Sequence, residues 1–434
     1  MLNLIAVLLL AFLLRALLLF KNRWVGIDTL GYLAFALEYK KKKNIVEQID
    51  KTPGGDFIPP LYPAFLSLFP KKFFRQLQFL STIVDLLALI FLYYFTLSFG
   101  ENVALLASLI YALSPVVVYS CFSLSPRSFS NTFLIFSMVS LFYYLNGNPF
   151  FLLPFFISTA IILLSHRMTT QAIVIVIVLE SVFFFNLVPI AILLLAVAFW
   201  RILLGKTYFR FLKNHIDRLI MYAKSGGYRE RRVKPDSPLR IISTFPLTLL
   251  ILANAIYFGL LGGLFLNVWF LSLLIASSIW TLGDGFRYMT NAVFPGSILA
   301  ALVLSNTPNS LLILSIFLLI SIFAIYRVIK LYQTSHRVIS KDVVKCFDFV
   351  RKNAKPNDTL LFLPFEYQYA YVANFFTDLN IIGYSKKDYD EKDVAKGKLH
   401  GKKINWIVTN SNKAFNKSRF KLRYRSNGFS AFKQ

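Results

Sequence analysis

Asp28 stands in the run Trp24-Val25-Gly26-Ile27-Asp28-Thr29-Leu30-Gly31-Tyr32, just after a long apolar stretch. A carboxylate at such a boundary can take a proton from a hydroxyl, and partial burial raises its pKa toward the working range. It can equally cap the helix that follows, since Asp before Thr-Leu-Gly-Tyr is a good N-cap. Asp56 comes about thirty residues later, just before Pro59-Pro60-Leu61-Tyr62-Pro63. It can assist acceptor binding or serve as a turn residue after Gly54-Gly55. Cations recur further along: Arg127 in Ser125-Pro126-Arg127-Ser128, the pair His166-Arg167, and Arg287-Tyr288 beside Asp284. Guanidinium and imidazole groups at helix mouths suit a phosphate on which charge develops. Each can also be an interfacial anchor whose stem lies along apolar surface.

Membrane helices must position these groups. The chain has 434 residues, 56% of them hydrophobic, with 45 Phe. A soluble domain does not carry that much apolar surface. Stretches 77–97, 102–119, 172–185, 239–261 and 311–326 approach or reach the ~20 residues that span a hydrocarbon core. Local thinning accommodates the shorter ones. Segment 2–20 lacks the basic start and small-residue cleavage site of a signal peptide and reads as a retained first helix. Cys121 and Cys346 imply no disulfide framework.

The connections between about eleven apolar segments alternate. Loops 98–102, 146–149, 186–188, 262–263 and 305–309 are short, with Glu101 their only charge. Loops 21–76, 120–128, 165–168, 205–240 and 283–287, with the tail after Tyr332, hold nearly everything polar. Alternate loops lie on opposite faces, so the groups able to do chemistry share one face. The net charge of +26 sits in these loops and the tail. That placement favours anionic headgroups or a phosphorylated lipid over nucleic acid.

The reading is a polytopic α-helical membrane protein with a transmembrane body over 1–332 and a small soluble α/β domain over 333–434. In the first loop, the spacing of Leu30, Leu33, Ala34 and Leu37 predicts a helix over 28–39, ended by the Lys40 to Lys43 run. The proline-bounded segment 58–70 is too short to span and reads as a juxtamembrane helix starting at the proline pair. In the tail, a helix is expected over 340–353 and strands over 359–363 and 404–409.

Asp28, Tyr32 and the Pro59-Pro60-Leu61-Tyr62-Pro63 run resemble the first external loop of the GT-C superfamily of membrane glycosyltransferases. That superfamily includes protein O-mannosyltransferases, aminoarabinose transferases of lipid A and the catalytic subunit of oligosaccharyltransferase. The resemblance implies a GT-C-like fold with juxtamembrane helices in loop 21–76, and charged loops and tail external at the plasma membrane. It implies transfer of a sugar from a polyprenyl-phosphate-linked donor to an acceptor hydroxyl of a protein, glycan or lipid, with inversion and Asp28 as base. Arg127, His166, Arg167 and Arg287 would hold the donor phosphate. Tyr32, Asp56, Tyr62, Asp284 and Tyr288 would support them or the acceptor. Loop 120–128 has no carboxylate where relatives often place a second acid, so no obligatory metal or other cofactor is expected. The positive-inside rule, by contrast, would put the basic loops in the cytoplasm.

Loop 205–240 carries ten Lys or Arg against three acids. It fits a lid hinged at Gly226-Gly227, as in relatives, or a headgroup-binding segment. Arg15, Asp85 and Glu180 lie within spans, where charge is costly. Arg15 is expected to snorkel or face the active-site cavity, and Glu180 to snorkel at the uncharged end. Asp85, about two turns deep, is expected to pair with Arg15. A transporter or flippase of an anionic lipid or solute is the reading from another class. It calls for internal repeats and mid-span polar groups, of which only Asp85 clearly qualifies.

Overall fold

Apolar runs removed from water must satisfy their own backbone hydrogen bonds, and this chain does so with helices. The computed structural model describes residues 2–42, 59–225, 244–257, 259–279, 282, 285–334, 338–363, 367–377, 379–382, 394, 396–399, 402–409, 420–426 and 429–434. The helices are α1 (Leu2–Lys21), α2 (Ile27–Lys42), α3 (Leu61–Ser67), α4 (Leu80–Thr96), α5 (Glu101–Ala112), α6 (Pro115–Cys121), α7 (Pro126–Leu145), α8 (Leu152–Leu163) and α9 (Arg167–Phe183). They continue with α10 (Val188–Leu204), α11 (Lys206–Ser225), α12 (Thr248–Tyr257), α13 (Gly263–Ser278), α14 (Gly285–Ser305), α15 (Ser310–Thr334), α16 (Lys341–Asn353) and α17 (Tyr367–Thr377). The strands are β1 (Thr359–Leu363), β2 (Asn380–Ile382), β3 (Lys398–Leu399), β4 (Lys402–Lys403), β5 (Trp406–Thr409), β6 (Lys421–Ser426) and β7 (Phe429–Lys433).

Among the described residues, five helical stretches are long and apolar enough to cross a membrane: Leu2–Lys21, Gln76–Phe99, Pro126–Leu145, Arg287–Ser305 and Ser310–Gln333. The pair α5–α6 makes a sixth if it is one span, and Pro149–Leu163, Val188–Leu204 and Gly263–Ser278 are shorter apolar helices. Segment 102–119, read as one apolar stretch of near-span length, is bent by 57° between α5 and α6. Pro115 has no N–H to continue the ladder and pushes the residue before it out of the helical region. Ser114 accordingly has an extended ψ of 118°.

Contacts divide the chain into two units. One comprises the described parts of Met1–Phe20, Pro59–Tyr62 and Phe79–Leu331; the other comprises those of Lys21–Ile58, Pro63–Gln78 and Tyr332–Gln434.

In the helical unit, α13 packs on α14, and Trp269 stacks on Phe294 at 5.5 Å at the centre of the apolar core. Arg15 departs from its expectation: it neither snorkels nor lines the cation cavity but is buried, and its Nε donates to Asp85 Oδ2 at 2.6 Å, the pairing expected of Asp85. Its Nη1 donates to the carbonyl of Ala112 at 3.0 Å, and Tyr111 Oη donates to Asp85 Oδ1 at 2.8 Å. Glu180 departs from its expectation. It is fully buried, and neither carboxylate oxygen has a hydrogen-bond partner among the described residues. Helix α13 packs along α9, and Phe184, one turn beyond Glu180, meets Phe265.

The second unit holds a five-stranded sheet in the order β2-β1-β5-β7-β6. Strands β2, β1 and β5 are parallel, and β7 joins β5 and β6 antiparallel. Strand β5 is buried along its whole length, as a central strand of such a sheet is. Ser340 caps α16 by accepting from the amide of Val343. Helix α17 packs on both α16 and α2.

Candidate functional site

Two constellations carry the groups singled out in the sequence, one in each unit.

In the helical unit, Pro126 occupies the first turn of α7, where its missing N–H costs nothing, and Arg127 follows it. His166 is extended, with φ −153°, and precedes α9, whose first residue is Arg167. Arg287 lies in the first turn of α14. Arg127, His166, Thr169, Arg287, Thr290 and Asn291 line one narrow cavity. The starts of three helices thus meet there, and helix N-termini add positive potential to that of the guanidinium groups.

Hydroxyls tie the site together. His166 Nδ1 lies 2.9 Å from Thr169 Oγ1, which lies 2.9 Å from Ser130 Oγ. Arg167 donates to Asn214 Oδ1 on α11. Tyr288 Oη donates to Gln171 Oε1, and Gln171 Nε2 donates to His215 Nε2 at 3.2 Å, so α14, α9 and α11 are linked in series. Gly205 makes this possible: its φ of 55° turns the chain sharply from α10 into α11, in a region other residues avoid.

Charge governs both imidazoles. Burial, then Arg287, Arg127, Arg167 and His215, hold His166 well below the ordinary imidazole range. It is neutral, so the arginines supply the charge. Burial and then Arg167 push His215 down to about 4. Only neutral His215 can accept from Gln171. The packing it supports is therefore fully present above its ordinary value of 6.5 and is lost as the pH falls through about 4. The protection factors of α11 amides, taken relative to the intrinsic exchange rate at each pH, should fall on acidification across that window, and His215→Gln, which keeps an acceptor, should flatten the profile.

Residues 59–62 buttress this cluster. The Leu61 amide donates to the Leu164 carbonyl at 3.1 Å, two residues before His166. Tyr62 is buried, its ring 5.5 Å from that of Phe129, so it packs as core beside Arg127.

Asp28 belongs to the other unit. It sits inside the first turn of α2 rather than capping it, because the helix already begins at Ile27; the side chain is exposed, not partly buried as the sequence reading expected. Tyr32 follows one turn on, with its ring edge-on to Phe35. The strand-like entry to α2 is pinned from three sides. Val25 bridges to Val338, the Ile339 amide donates to the Trp24 carbonyl at 3.1 Å, and Trp24 packs on Phe375 and Phe376. Buried Gln78 accepts from the Val25 amide at 3.0 Å and donates to the Arg23 carbonyl at 3.0 Å. Asp56 and Asp284 lie outside the described residues, as do Gly226 and Gly227.

Sequence reasoning missed Thr169, Gln171, Asn214, His215, Thr290, Asn291 and Gln78. One signal was available: Asn291 stands one helical turn beyond Arg287, on the same face.

No family model and no curated protein matches the sequence. Among solved structures, the chain is similar to ArnT from Cupriavidus metallidurans bound to undecaprenyl phosphate. The TM-score is 0.69 at 10% identity, covering 99% of this chain and 97% of that one. It is also similar to the Archaeoglobus fulgidus oligosaccharyltransferase tethered with an acceptor peptide. There the TM-score is 0.62 at 13% identity, covering 94% of this chain and 68% of that one. The chain has the fold of the GT-C membrane glycosyltransferases, as the first-loop resemblance implied.

Proposed function

We propose that the chain is a GT-C-type glycosyltransferase that moves a sugar from a polyprenyl-phosphate-linked donor to an acceptor hydroxyl. The acceptor oxygen attacks the anomeric carbon from the face opposite the phosphate, forming the new glycosidic bond with inversion. The bond from that carbon to the phosphate oxygen breaks, and its electron pair leaves with polyprenyl phosphate. Asp28 takes the hydroxyl proton, and no metal is obligatory. The body crosses the membrane about eleven times, with the charged loops and tail external at the plasma membrane.

The observation that carries this reading is the convergence of Arg127, Arg167 and Arg287 around His166 where α7, α9 and α14 begin. The leaving phosphate gains negative charge as the bond breaks, and guanidinium groups already in place stabilise it without reorganising. Neutral His166 can take up a proton as that anion forms. The undecaprenyl phosphate in the similar ArnT structure supports a lipid-linked phosphate as the ligand.

The test is transfer from a radiolabelled polyprenyl-phosphate sugar by purified protein, alongside binding of undecaprenyl phosphate. Arg127→Gln and Arg287→Gln should each weaken binding of the lipid phosphate by about tenfold or more, as for a lost charge-assisted hydrogen bond of about 1.5–3 kcal/mol. Undiminished affinity in both variants would remove the cluster from the donor site.

A further inference from the structure

The basic segment after Gly205 folds as α11, and three of its faces have different surroundings. Tyr208, Phe211 and His215 are buried against the helical unit. Lys206, Arg210, Lys213 and Asp217 form an exposed charged row on the opposite side. Between the two runs an apolar row: Phe209 is 55% exposed, Ile216 54% and Ile220 45%, at spacings of seven and four residues. Such spacings bring side chains to one stripe of a helix. The stripe continues the lipid-facing end of α10, where Ile202 is 81% and Leu203 58% exposed. Arg201 joins the two helices by lying over the Phe209 ring at 4.6 Å.

A helix wholly in water would not carry an exposed apolar stripe, and one that crosses the bilayer would not carry a charged row. An apolar stripe flanked by cations is the pattern of a helix lying in the plane of the membrane interface. The charged row carries three basic groups against Asp217, so its complement is an anionic headgroup layer.

We propose that α11 is an in-plane helix seated on anionic phospholipid, with Phe209, Ile216 and Ile220 among the acyl chains and Lys206, Arg210 and Lys213 on the phosphates. The lipid surface then acts on the cation cluster through Asn214 and His215, which α11 holds against Arg167 and Gln171.

Cys121 and Cys346 are buried, so one introduced cysteine can be labelled selectively with a nitroxide. The full chain carrying Ile216→Cys or Asp217→Cys is reconstituted in nanodiscs of phosphatidylcholine, with or without phosphatidylglycerol. The label at 216 should be several-fold more accessible to oxygen relative to a nickel complex than the label at 217. Adding phosphatidylglycerol should raise that ratio at 216. Lys206→Gln, Arg210→Gln and Lys213→Gln together should abolish the rise, whereas Lys206→Arg with Lys213→Arg should retain it. Equal accessibility at 216 and 217 would overturn the bilayer placement and point to a protein partner or water instead. A ratio at 216 indifferent to phosphatidylglycerol would overturn the anionic-lipid assignment. These readouts need no sugar transfer, so their failure is distinct from failure of the glycosyltransferase reading.

Discussion

Asp28→Asn should lower sugar transfer by about 10²–10⁴-fold, the range over which a positioned general base contributes. Asn keeps the shape and most hydrogen-bonding capacity of the carboxylate but cannot take the proton released by the acceptor hydroxyl. Asp28 also lies in the first turn of α2, where a negative charge favours the helix end. That structural contribution is small beside a catalytic one, because Gln78, Val338, Ile339 and the aromatic packing of Trp24 hold the entry to α2 independently. The two roles separate experimentally. A catalytic Asp28 predicts a collapse of turnover from a radiolabelled polyprenyl-phosphate donor, with unchanged binding of undecaprenyl phosphate and an unchanged melting temperature. Turnover at the level of the unaltered protein would remove Asp28 from the mechanism. Equal losses of turnover and stability would make it a helix-end residue only.

How far the sequence leads depends on the kind of signal each element leaves. Helix α2 and strand β1 follow local periodicity and emerge close to where the sequence places them, as α16 does with its Ser340 cap. The short helix expected at the proline pair also begins directly after it, at Leu61. Arg127, His166 and Arg287 were recognisable because charge is rare at helix mouths in so apolar a chain, and the structure gathers them at one cavity. Their roles still rest on the proposed chemistry. Asn291 was marked only by standing one turn beyond Arg287, and Thr290 left no mark: a polar side chain within an apolar helix does not reveal which neighbour it faces. Gln171 and Asn214 act through partners more than forty residues away, so nothing local announces them. Helix α11 was hidden by its charges, which read as a basic loop although Tyr208, Phe211 and His215 already had helical spacing. The bend at Ser114 and the burial of Glu180 were misjudged for a shared reason. Hydropathy measures how apolar a segment is, not what packs against it.

Breaking the Arg15–Asp85 pair is expected to have the largest effect on stability. Asp85→Leu or Arg15→Met alone should destabilise the protein by about 3–5 kcal/mol, because each leaves an uncompensated buried charge. The double variant should recover much of that loss, since a buried ion pair is commonly replaceable by apolar groups of similar volume. Full recovery is not expected. The bend between α5 and α6 releases the Ala112 carbonyl from the helical ladder, and Arg15 is its donor at 3.0 Å. An unsatisfied carbonyl in apolar surroundings costs about 1–3 kcal/mol, which the double variant should still lack. Tyr111 would also lose its acceptor on Asp85. Denaturant or thermal unfolding of the three variants in one detergent measures these differences, and an Asp85→Leu protein as stable as the unaltered chain would refute the account. The same measurement bears on the transporter alternative. An acid that carries cargo must exchange partners during its cycle, whereas Asp85 is fixed by Arg15 and Tyr111 and serves the bend of a membrane helix. On this account the mid-span charge exists because Pro115 interrupts α5–α6: the break frees a carbonyl, the carbonyl calls for a buried donor, and the donor's charge calls for Asp85.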